Sequence, residues 1–287
     1  MPRNPSRKIL SQLKRSSPLP GFRLSLGFTS FYLTLIVLFP LAAILARSLR
    51  GGSAVFLQAI STPRVAAACR VTLESALLAS VVASLFGFLV AWVLARYNFP
   101  GRRIVDALID LPFALPTAVA GISLTSLYSE HGWLGRFLEP HGIHVTFTQT
   151  GIVLAMSFVG LPFVVRSVQP VLEEIDIAME EAAISLGASD WQVFARILAP
   201  VSLPALLTGA ALAFARAAGE YGSVIFIAGN MPMKTEIAAL LVVTKLEEYD
   251  YTGASAIAVA MLALSFVVML TLNLLQGRLQ RKEGRRI

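Results

Sequence analysis

Six apolar stretches, each long enough to cross a lipid bilayer, constrain this chain more than any other feature of its sequence. A helix needs about 20 apolar residues to span the hydrocarbon core. The stretches cover roughly residues 27–49, 72–95, 107–128, 148–169, 203–229 and 254–276. The composition agrees, because 56% of the 287 residues are hydrophobic and only 14% are charged. The sequence therefore predicts an all-α, polytopic membrane protein with six transmembrane helices.

Basic residues flank the apolar stretches and predict the orientation. The net charge of +7 would suggest nucleic-acid binding in a soluble protein, but topology explains it here, and we expect no nucleic-acid partner. With the N-terminus inside, sixteen Lys and Arg residues fall on inner segments and seven on outer ones. We expect a basic cytoplasmic tail over residues 1–26, the six-span domain over 27–276 and a basic cytoplasmic tail over 277–287, with membrane lipid around the spans.

The sequence offers little support for a metal site or for nucleotide hydrolysis. The one cysteine, Cys69, can form neither an internal disulfide nor a four-ligand site. The three histidines, His131, His141 and His144, lie close together but match no metal motif, so we expect them in a loop. The chain carries no G-x-x-x-x-G-K-[ST] phosphate loop. We therefore predict no catalytic residues, metal or cofactor in this chain, and any energy-converting domain must belong to another protein.

A helical segment that we call the elbow, about residues 173–200, separates the fourth and fifth apolar stretches. Its first half is acidic and should form a helix that ends at Gly187, because glycine suits a left-handed turn. Ser189 or Asp190 can cap a second helix, and Pro200 is expected to close it. Its apolar residues recur at helical spacing: Trp191, Phe194, Ile197 and Leu198. The elbow either lies on the membrane surface or on its own helix bundle, or it docks in a groove of a cytoplasmic partner. The acidity of its first helix favours the partner.

The elbow resembles the EAA loop, the coupling-helix motif of ABC-importer permeases. The matching residues are Glu181, Ala182, Ala183, Gly187, Ile197 and Pro200. Ala199 departs from the family pattern, which has leucine before the proline. The resemblance implies a methionine-importer-like permease fold whose cytoplasmic coupling elbow docks into a separate ATPase. ATP and Mg²⁺ would then bind to that ATPase.

Several longer stretches resemble the CysT-type subunits of sulfate/thiosulfate ABC importers. They are YNFPGRRIVDALIDLPFALPTAVAGI (97–122), PFVVRSVQPVLEEI (162–175), FARAAGEYGSVIFIAGN (214–230) and YDYTGASAIA (249–258). The resemblance implies a heterodimer with a second sulfate permease, two copies of the ATPase and a periplasmic sulfate-binding protein, in a bacterial inner membrane. Molybdate/tungstate permeases are similar around Gly219 and Asn230, so a molybdate cargo stays open as an alternative. A non-transporting membrane scaffold is a further alternative.

Candidate pathway or gate residues lie in the third and fifth apolar stretches. Pro112 and Pro116 should kink the third span beside Thr117, either to line a pathway or to aid packing. Arg216 and Glu220, four residues apart, either serve a translocated anion and its gate or neutralise each other as a packing pair. The full candidate set is Pro112, Pro116, Thr117, Arg216, Glu220 and Gly222.

Other charges predict paired or docking roles. Asp106 and Asp110 end the inner side of the third span and are expected to be interfacial or paired. Glu74, four residues after Arg70 at the outer edge of the second span, is likewise expected to be interfacial or paired. The outer acidic residues Glu247, Glu248 and Asp250 either dock a receptor or form a solvated loop.

Overall fold

A computed structural model describes residues 22–283, and every regular element within that range is helical. The helices of the first half are α1 (Phe22–Leu33), α2 (Phe39–Ser48), α3 (Gly52–Ile60), α4 (Pro63–Arg96), α5 (Arg102–Ile109), α6 (Leu111–Ala114), α7 (Thr117–Tyr128) and α8 (Gly135–Leu138). A π-helical turn, Thr34–Leu38, joins α1 to α2, and a 3₁₀ turn, Glu139–His141, follows α8. Of the predicted tails, 1–26 and 277–287, residues 1–21 and 284–287 lie outside the described residues, and the remainder belongs to the ends of helices Phe22–Leu33 and Tyr251–Glu283.

Seven further helices make up the second half of the described chain. They are α9 (Gln149–Glu174), α10 (Ile177–Ser185), α11 (Asp190–Val193), α12 (Ala199–Ala218), α13 (Val224–Ala228), α14 (Ala238–Glu247) and α15 (Tyr251–Glu283). A π-helical turn, Phe194–Leu198, joins α11 to α12 without a break. The all-α architecture predicted from composition is thereby confirmed.

Helix α9 is the centre of the bundle and packs against both α4 and α12. Small residues permit this close approach: a Cβ on Gly87 of α4 or on Gly209 of α12 would press into Val164 of α9. Hydroxyl groups bridge the same helices, since Ser80 Oγ donates to the Ala210 carbonyl at 2.7 Å. The core therefore depends on backbone proximity more than on large side chains.

Five helices are long and apolar enough to span a membrane, among the residues described. They are Leu24–Ser48, Pro63–Arg96, Gln149–Glu174, Asp190–Ala218 and Tyr251–Leu274. They correspond to the predicted first, second, fourth, fifth and sixth spans. The first of them has no residue buried within its most apolar window, so most of that apolar surface lies outside the core of this chain.

The third predicted span, 107–128, is broken rather than kinked. Leu115 is extended, with ψ of 135°, and separates α6 from α7. A proline disfavours the helical conformation of the residue before it, and Pro116 imposes this on Leu115. Only Thr117–Tyr128 remains as a short apolar helix.

The prediction that Pro200 closes the second elbow helix was wrong. Helix continues from Asp190 to Ala218, so the fifth span begins earlier than residue 203 and ends before residue 229. Proline lacks an N–H and clashes with the carbonyl four residues earlier. The wide turn Phe194–Leu198 lies just before Pro200 and loosens the backbone there; the Ala199 N–H bonds back to the Phe194 carbonyl.

Candidate functional site

The elbow consists of two helices joined by a tight left-handed turn. Asp176 caps α10 by accepting a hydrogen bond from the Ala178 N–H at 3.0 Å. Gly187 has φ of +85°, the conformation predicted for it. Ser189 caps α11, and the Gln192 side chain accepts from the Ser189 N–H in return. Each helix of the elbow is therefore stabilised by its own local sequence.

The outer surface of the elbow is unusually apolar for a segment predicted to face water. Its exposed large side chains are Ile177, Met179, Ile184, Leu186 and Trp191. Leu186 is 90% exposed and Trp191 is 72% exposed. The predicted apolar face of the second helix is therefore only partly used inside the chain, because Trp191 points outward while Leu198 is buried. Contiguous exposed apolar residues commonly mark an interaction surface.

The inner side of the elbow is fastened to the end of α4. Arg96 and Glu180 form an ion pair with 2.5 Å between Nη2 and Oε1, and both side chains are largely buried. The Phe194 ring lies 5.5 Å from that of Trp92 and 6.2 Å from that of Phe88. One polar and one aromatic contact thus hold the elbow against the bundle.

The residues matching the EAA loop divide between these two sides of the elbow. Glu181, Ala182 and Gly187 are exposed. Ala183 and Ile197 pack against the apolar cluster that includes Leu94, Leu172 and Leu198. Pro200 lies near the start of α12.

A second group of predicted residues meets where the broken third span contacts the end of α12. A Cβ on Gly222 would overlap Thr117 Oγ1, and a Cβ on Gly121 would overlap the backbone of Ser223. Pro116 is the N-cap residue of α7. Pro112 lies near the start of α6, on the far side of the break. The structure therefore brings Thr117 and Gly222 together and leaves Pro112 on a separate helical segment.

Arg216 and Glu220 form an ion pair beside this contact. The distance between Arg216 Nη1 and Glu220 Oε2 is 2.5 Å, with the carboxylate side chain 1% exposed and the guanidinium side chain a third exposed. Helix α12 ends at Ala218, so Glu220 lies in the turn beyond the helix. Its other oxygen accepts hydrogen bonds from the N–H and the hydroxyl of Ser223, each at 2.9 Å. Glu220 therefore both neutralises Arg216 and caps the start of α13.

An apolar groove adjoins this ion pair, between α12, α14 and α15. It has a volume of about 600 Å³ and is lined by residues that include Ala218, Gly219, Tyr221, Val242, Met261 and Phe266. The turn at Gly219 thus separates an apolar groove on one side from the buried carboxylate of Glu220 on the other.

Two charged contacts were not anticipated from the sequence. Arg64 binds Glu236 through two hydrogen bonds, at 2.8 and 2.7 Å, and the Glu236 side chain is fully buried. Arg166, inside α9, binds both Asp106 and Asp110. Of the two roles predicted for these aspartates, interfacial or paired, the structure shows the paired one. A lone arginine within an apolar helix was the available signal, because such a charge requires a partner.

Two charged groups on the outer connections also form local pairs. Arg70 Nε lies 2.6 Å from Glu74 Oε1, so of the two predicted roles, interfacial or paired, Glu74 has the paired one, and both side chains are largely exposed. Lys245 lies 2.8 Å from Glu248 and 3.5 Å from Asp250. The hydrogen bond to Glu248 raises the pKa of Lys245, so the predicted outer acidic patch is partly neutralised by its own chain.

The three histidines lie in the connection between α7 and α9, as predicted. His144 Nδ1 lies 2.6 Å from Glu139 Oε2, and His141 Nδ1 lies 2.9 Å from the Phe137 carbonyl. No three metal-ligating side chains group together among residues 22–283. The geometry of the described chain is that of helix packing, an exposed elbow and paired intramembrane charges.

Comparison with known proteins places this geometry in context. The family model described as "Binding-protein-dependent transport system inner membrane component" matches residues 83–284. The sulfate transport system permease protein CysT of Escherichia coli is 50% identical over 92% of this chain and 95% of its own length. Its counterpart in Synechocystis is 48% identical over 92% of this chain and 93% of its own length. The probable CysT of Nephroselmis olivacea is 47% identical over 88% of each chain.

Solved structures share the fold at low sequence identity. A chain of a bacterial ABC transporter for alginate import has a TM-score of 0.74 at 16% identity, over 94% of this chain and 99% of that one. A chain of the methionine transporter MetNI, in an inward-facing conformation, has a TM-score of 0.54 at 18% identity, over 75% and 94%. The permease fold predicted from the elbow is confirmed. The chain belongs to the family of binding-protein-dependent transport system inner membrane components.

Proposed function

We propose that this chain is a membrane-spanning permease subunit of an ATP-driven importer for sulfate and thiosulfate. The observation that supports this proposal is sequence identity of about 50%, over nearly the full length of the chain, with proteins named as sulfate transport permeases. The match covers the broken third span and the elbow alike, so it is not confined to features common to all importers. Separate ATPase subunits hydrolyse ATP, with Mg²⁺, and this chain binds no cofactor.

The elbow is the proposed surface for that ATPase. Its exposed apolar side chains and its exposed Glu181 and Ala182 suit insertion into a groove on a cytoplasmic partner. Its buried side, with Ala183 and Ile197, transmits force to α4 and α12. Gly187 sets the angle between the two elbow helices, and Pro200 begins the transmembrane part of α12.

The Thr117–Gly222 contact and the Arg216–Glu220 pair are proposed as parts of the translocation pathway or its gate. Arg216 remains a third exposed, so it can offer positive potential to a passing dianion. Glu220 offsets that potential, which suits a pathway that must release its cargo. Pro112 and Pro116 supply the break that lets the two halves of the third span move separately.

We propose a heterodimer with a second sulfate permease, two ATPase copies on the cytoplasmic side and a sulfate-binding protein on the periplasmic side. One of the structural neighbours is described in complex with a ligand-bound periplasmic protein. The Lys and Arg distribution supports cytoplasmic termini, with residues 1–26 and 277–287 as tails on the 27–276 domain.

Sulfate uptake in cells that lack only the equivalent permease tests the cargo. The chain is supplied, and radiolabelled sulfate uptake is measured with excess thiosulfate or excess molybdate as competitor. ATP-dependent uptake that thiosulfate blocks and molybdate leaves intact is the expected result. Rescue of molybdate uptake instead would contradict the sulfate assignment.

Co-purification of the ATPase tests the elbow separately. Glu181→Lys reverses an exposed charge at the docking surface, and we expect normal membrane insertion with weaker ATPase binding. Glu130→Lys is a matched control, because it makes the same charge reversal at an exposed residue outside the elbow. Equal ATPase recovery with both variants would contradict the docking role.

A further inference from the structure

Every N–H of the Arg166 guanidinium has an acceptor. Nε and Nη2 bind the two carboxylate oxygens of Asp110 at 2.9 and 2.7 Å. Nη1 binds Asp106 Oδ1 at 2.7 Å and Gln169 Oε1 at 3.0 Å, and Nη2 also binds the Asp106 carbonyl at 3.0 Å. An arginine has five such donors in a rigid fork, so this arrangement fixes both the position and the orientation of its partners. We call Arg166, Asp106 and Asp110 the Arg166 clamp.

The clamp joins α9 to the inner half of the broken third span. Asp106 lies in α5 and Asp110 lies between α5 and α6. Beyond α6, the chain leaves the helical conformation at Leu115 and resumes helix at Thr117. The clamp therefore holds one side of the break and leaves the other side to the Thr117–Gly222 contact.

Apolar packing alone holds this inner half weakly. Most of its large apolar side chains are exposed: Ile104, Val105, Leu108, Leu111 and Phe113. Ile109 is buried, and the Phe113 ring meets that of Phe163 at 5.1 Å between centroids. The polar clamp thus accounts for much of the specific contact between residues 102–114 and α9.

The clamp continues toward the elbow along one face of α9. Gln169, which accepts from Arg166, donates to Glu173 at 3.1 Å. Glu173 Oε1 also accepts a hydrogen bond, at 3.2 Å, from Nη2 of Arg102, the first residue of α5. Helix α9 ends at Glu174, and Asp176 caps the first elbow helix. A series of hydrogen bonds therefore leads from Asp110, just before α6, through Arg166 and Gln169 to Glu173, where the elbow begins.

We propose that Arg166 is a positioning residue that makes the inner half of the third span move with the elbow as one rigid unit. Displacement of the elbow then bends the chain at Leu115–Pro116 and acts on the Thr117–Gly222 contact. This inference rests on the proposed function, since it assumes that ATPase motion enters through the elbow. The Arg166 clamp would then carry motion of the elbow to the broken third span.

An importer reconstituted from both permeases, the ATPase and the sulfate-binding protein provides the test. Arg166→Lys keeps the charge but not the fork, and Arg103→Lys is the same exchange at an exposed site on α5. We expect the Arg166→Lys importer to assemble and hydrolyse ATP while sulfate moved per ATP falls by about fivefold or more. The Asp106→Asn/Asp110→Asn double variant serves if Arg166→Lys fails to assemble. A purely structural role would lower yield and leave this ratio unchanged.

A distance measurement decides the rigid-unit claim without depending on the cargo. Spin labels at Ile104→Cys and Glu174→Cys, in a Cys69→Ser background, report the separation of α5 from the end of α9. With Arg166 present, we expect one narrow distance that is the same with and without ATP. With Arg166→Lys, we expect a broadened or ATP-dependent distance.

The outcomes separate the two proposals. Failure of the unmodified importer to move sulfate contradicts the cargo assignment, and the label distances still decide the clamp. An unchanged distance in the Arg166→Lys protein overturns the clamp. So does an unchanged ratio of transport to hydrolysis when the unmodified importer moves sulfate.

Discussion

Gly222 lies directly against Thr117, so closely that a Cβ on residue 222 would overlap the threonine hydroxyl. One residue belongs to the turn after α12 and the other begins α7, so the contact joins two broken helices. Gly121 meets the backbone of Ser223 in the same way, one turn further along α7. The turn after α12 therefore packs directly on the first turns of α7, because Gly222 and Gly121 have no side chains.

Gly222→Ala should disrupt this contact. The added methyl group overlaps the Thr117 side chain, and overpacking of this kind costs about 1–3 kcal/mol. We expect a lower thermal unfolding temperature of the purified importer and reduced sulfate uptake.

Gly219→Ala is the matched control for that substitution. The nearest atom to its Cβ would be the Ala215 carbonyl oxygen at 3.9 Å, so the methyl group fits. An equal loss of stability in both variants would show that the Thr117 contact is not the cause.

Arg216→Ala should affect the importer more than Glu220→Gln. Removing the arginine leaves a buried carboxylate without its cation, and an unsatisfied buried partner costs about 1–3 kcal/mol, or more when charged. Glu220→Gln keeps an oxygen that can accept from Ser223. We expect Arg216→Ala to lower uptake more than it lowers the amount of assembled complex, both measured in the same membranes. A loss of assembled complex with unchanged uptake per complex would leave only the packing role.

Gly187→Val should distort the elbow through the backbone alone. Nothing lies within 4 Å of the Cβ that would be added, so the substitution causes no clash. The φ of +85° is the difficulty, because the left-handed conformation costs an ordinary L-residue about 1–2 kcal/mol. We expect weaker ATPase co-purification with normal membrane insertion.

Gly187→Asn tests that explanation, since asparagine tolerates the left-handed conformation better than valine. We expect Gly187→Asn to retain most ATPase binding. If asparagine and valine reduce binding equally, side-chain bulk at the docking surface is responsible instead.

Arg64→Ala should destabilise the outer end of α4. Its partner Glu236 is fully buried, whereas the Arg64 side chain is 37% exposed. The exposure reduces the effect, and we expect a loss of about 1 kcal/mol, at the lower end for a buried unpaired group. The thermal unfolding temperature of the purified importer measures it.

Arg70→Ala offers an internal comparison on the same helix. The Arg70–Glu74 pair is solvent-exposed on both sides, and exposed ion pairs contribute little. We expect no measurable change in the unfolding temperature. A larger effect at Arg70 than at Arg64 would contradict burial as the deciding variable.

The helical spans and the elbow turn are largely predictable because their signals are local. Length and apolarity identify five of the six predicted spans, and Gly187 and Ser189 take the turn and cap positions that their side-chain chemistry favours. The break in the third span was harder to predict, because the whole stretch is apolar enough to suggest one continuous helix. The break arises where Pro116 forces the preceding Leu115 into an extended conformation. At Pro200 the sequence predicted a helix end that does not occur, because the π-helical turn just before it accommodates the proline within a continuous helix.

Charge partners depended on contacts that no sequence interval encodes. Arg216 and Glu220 were predictable as neighbours, four residues apart. Arg166 and Asp106 are 60 residues apart, and Arg64 and Glu236 are 172 apart. The sequence shows that a charged residue within an apolar span requires a partner, but only the packing of the helices determines which residue that partner is.

The sequence by itself determined that this chain is a helical membrane protein with a capped, exposed elbow and a permease-like pattern of motifs. Those properties follow from hydrophobic length, backbone preference and local capping, all of which act over a few residues. Only the tertiary structure decided that Thr117 meets Gly222, that Glu220 caps α13 while it neutralises Arg216, and that Arg166 fastens the broken span to α9. Those relationships require helices distant in the chain to approach within hydrogen-bonding or van der Waals distance, which small residues along α4, α9 and α12 permit.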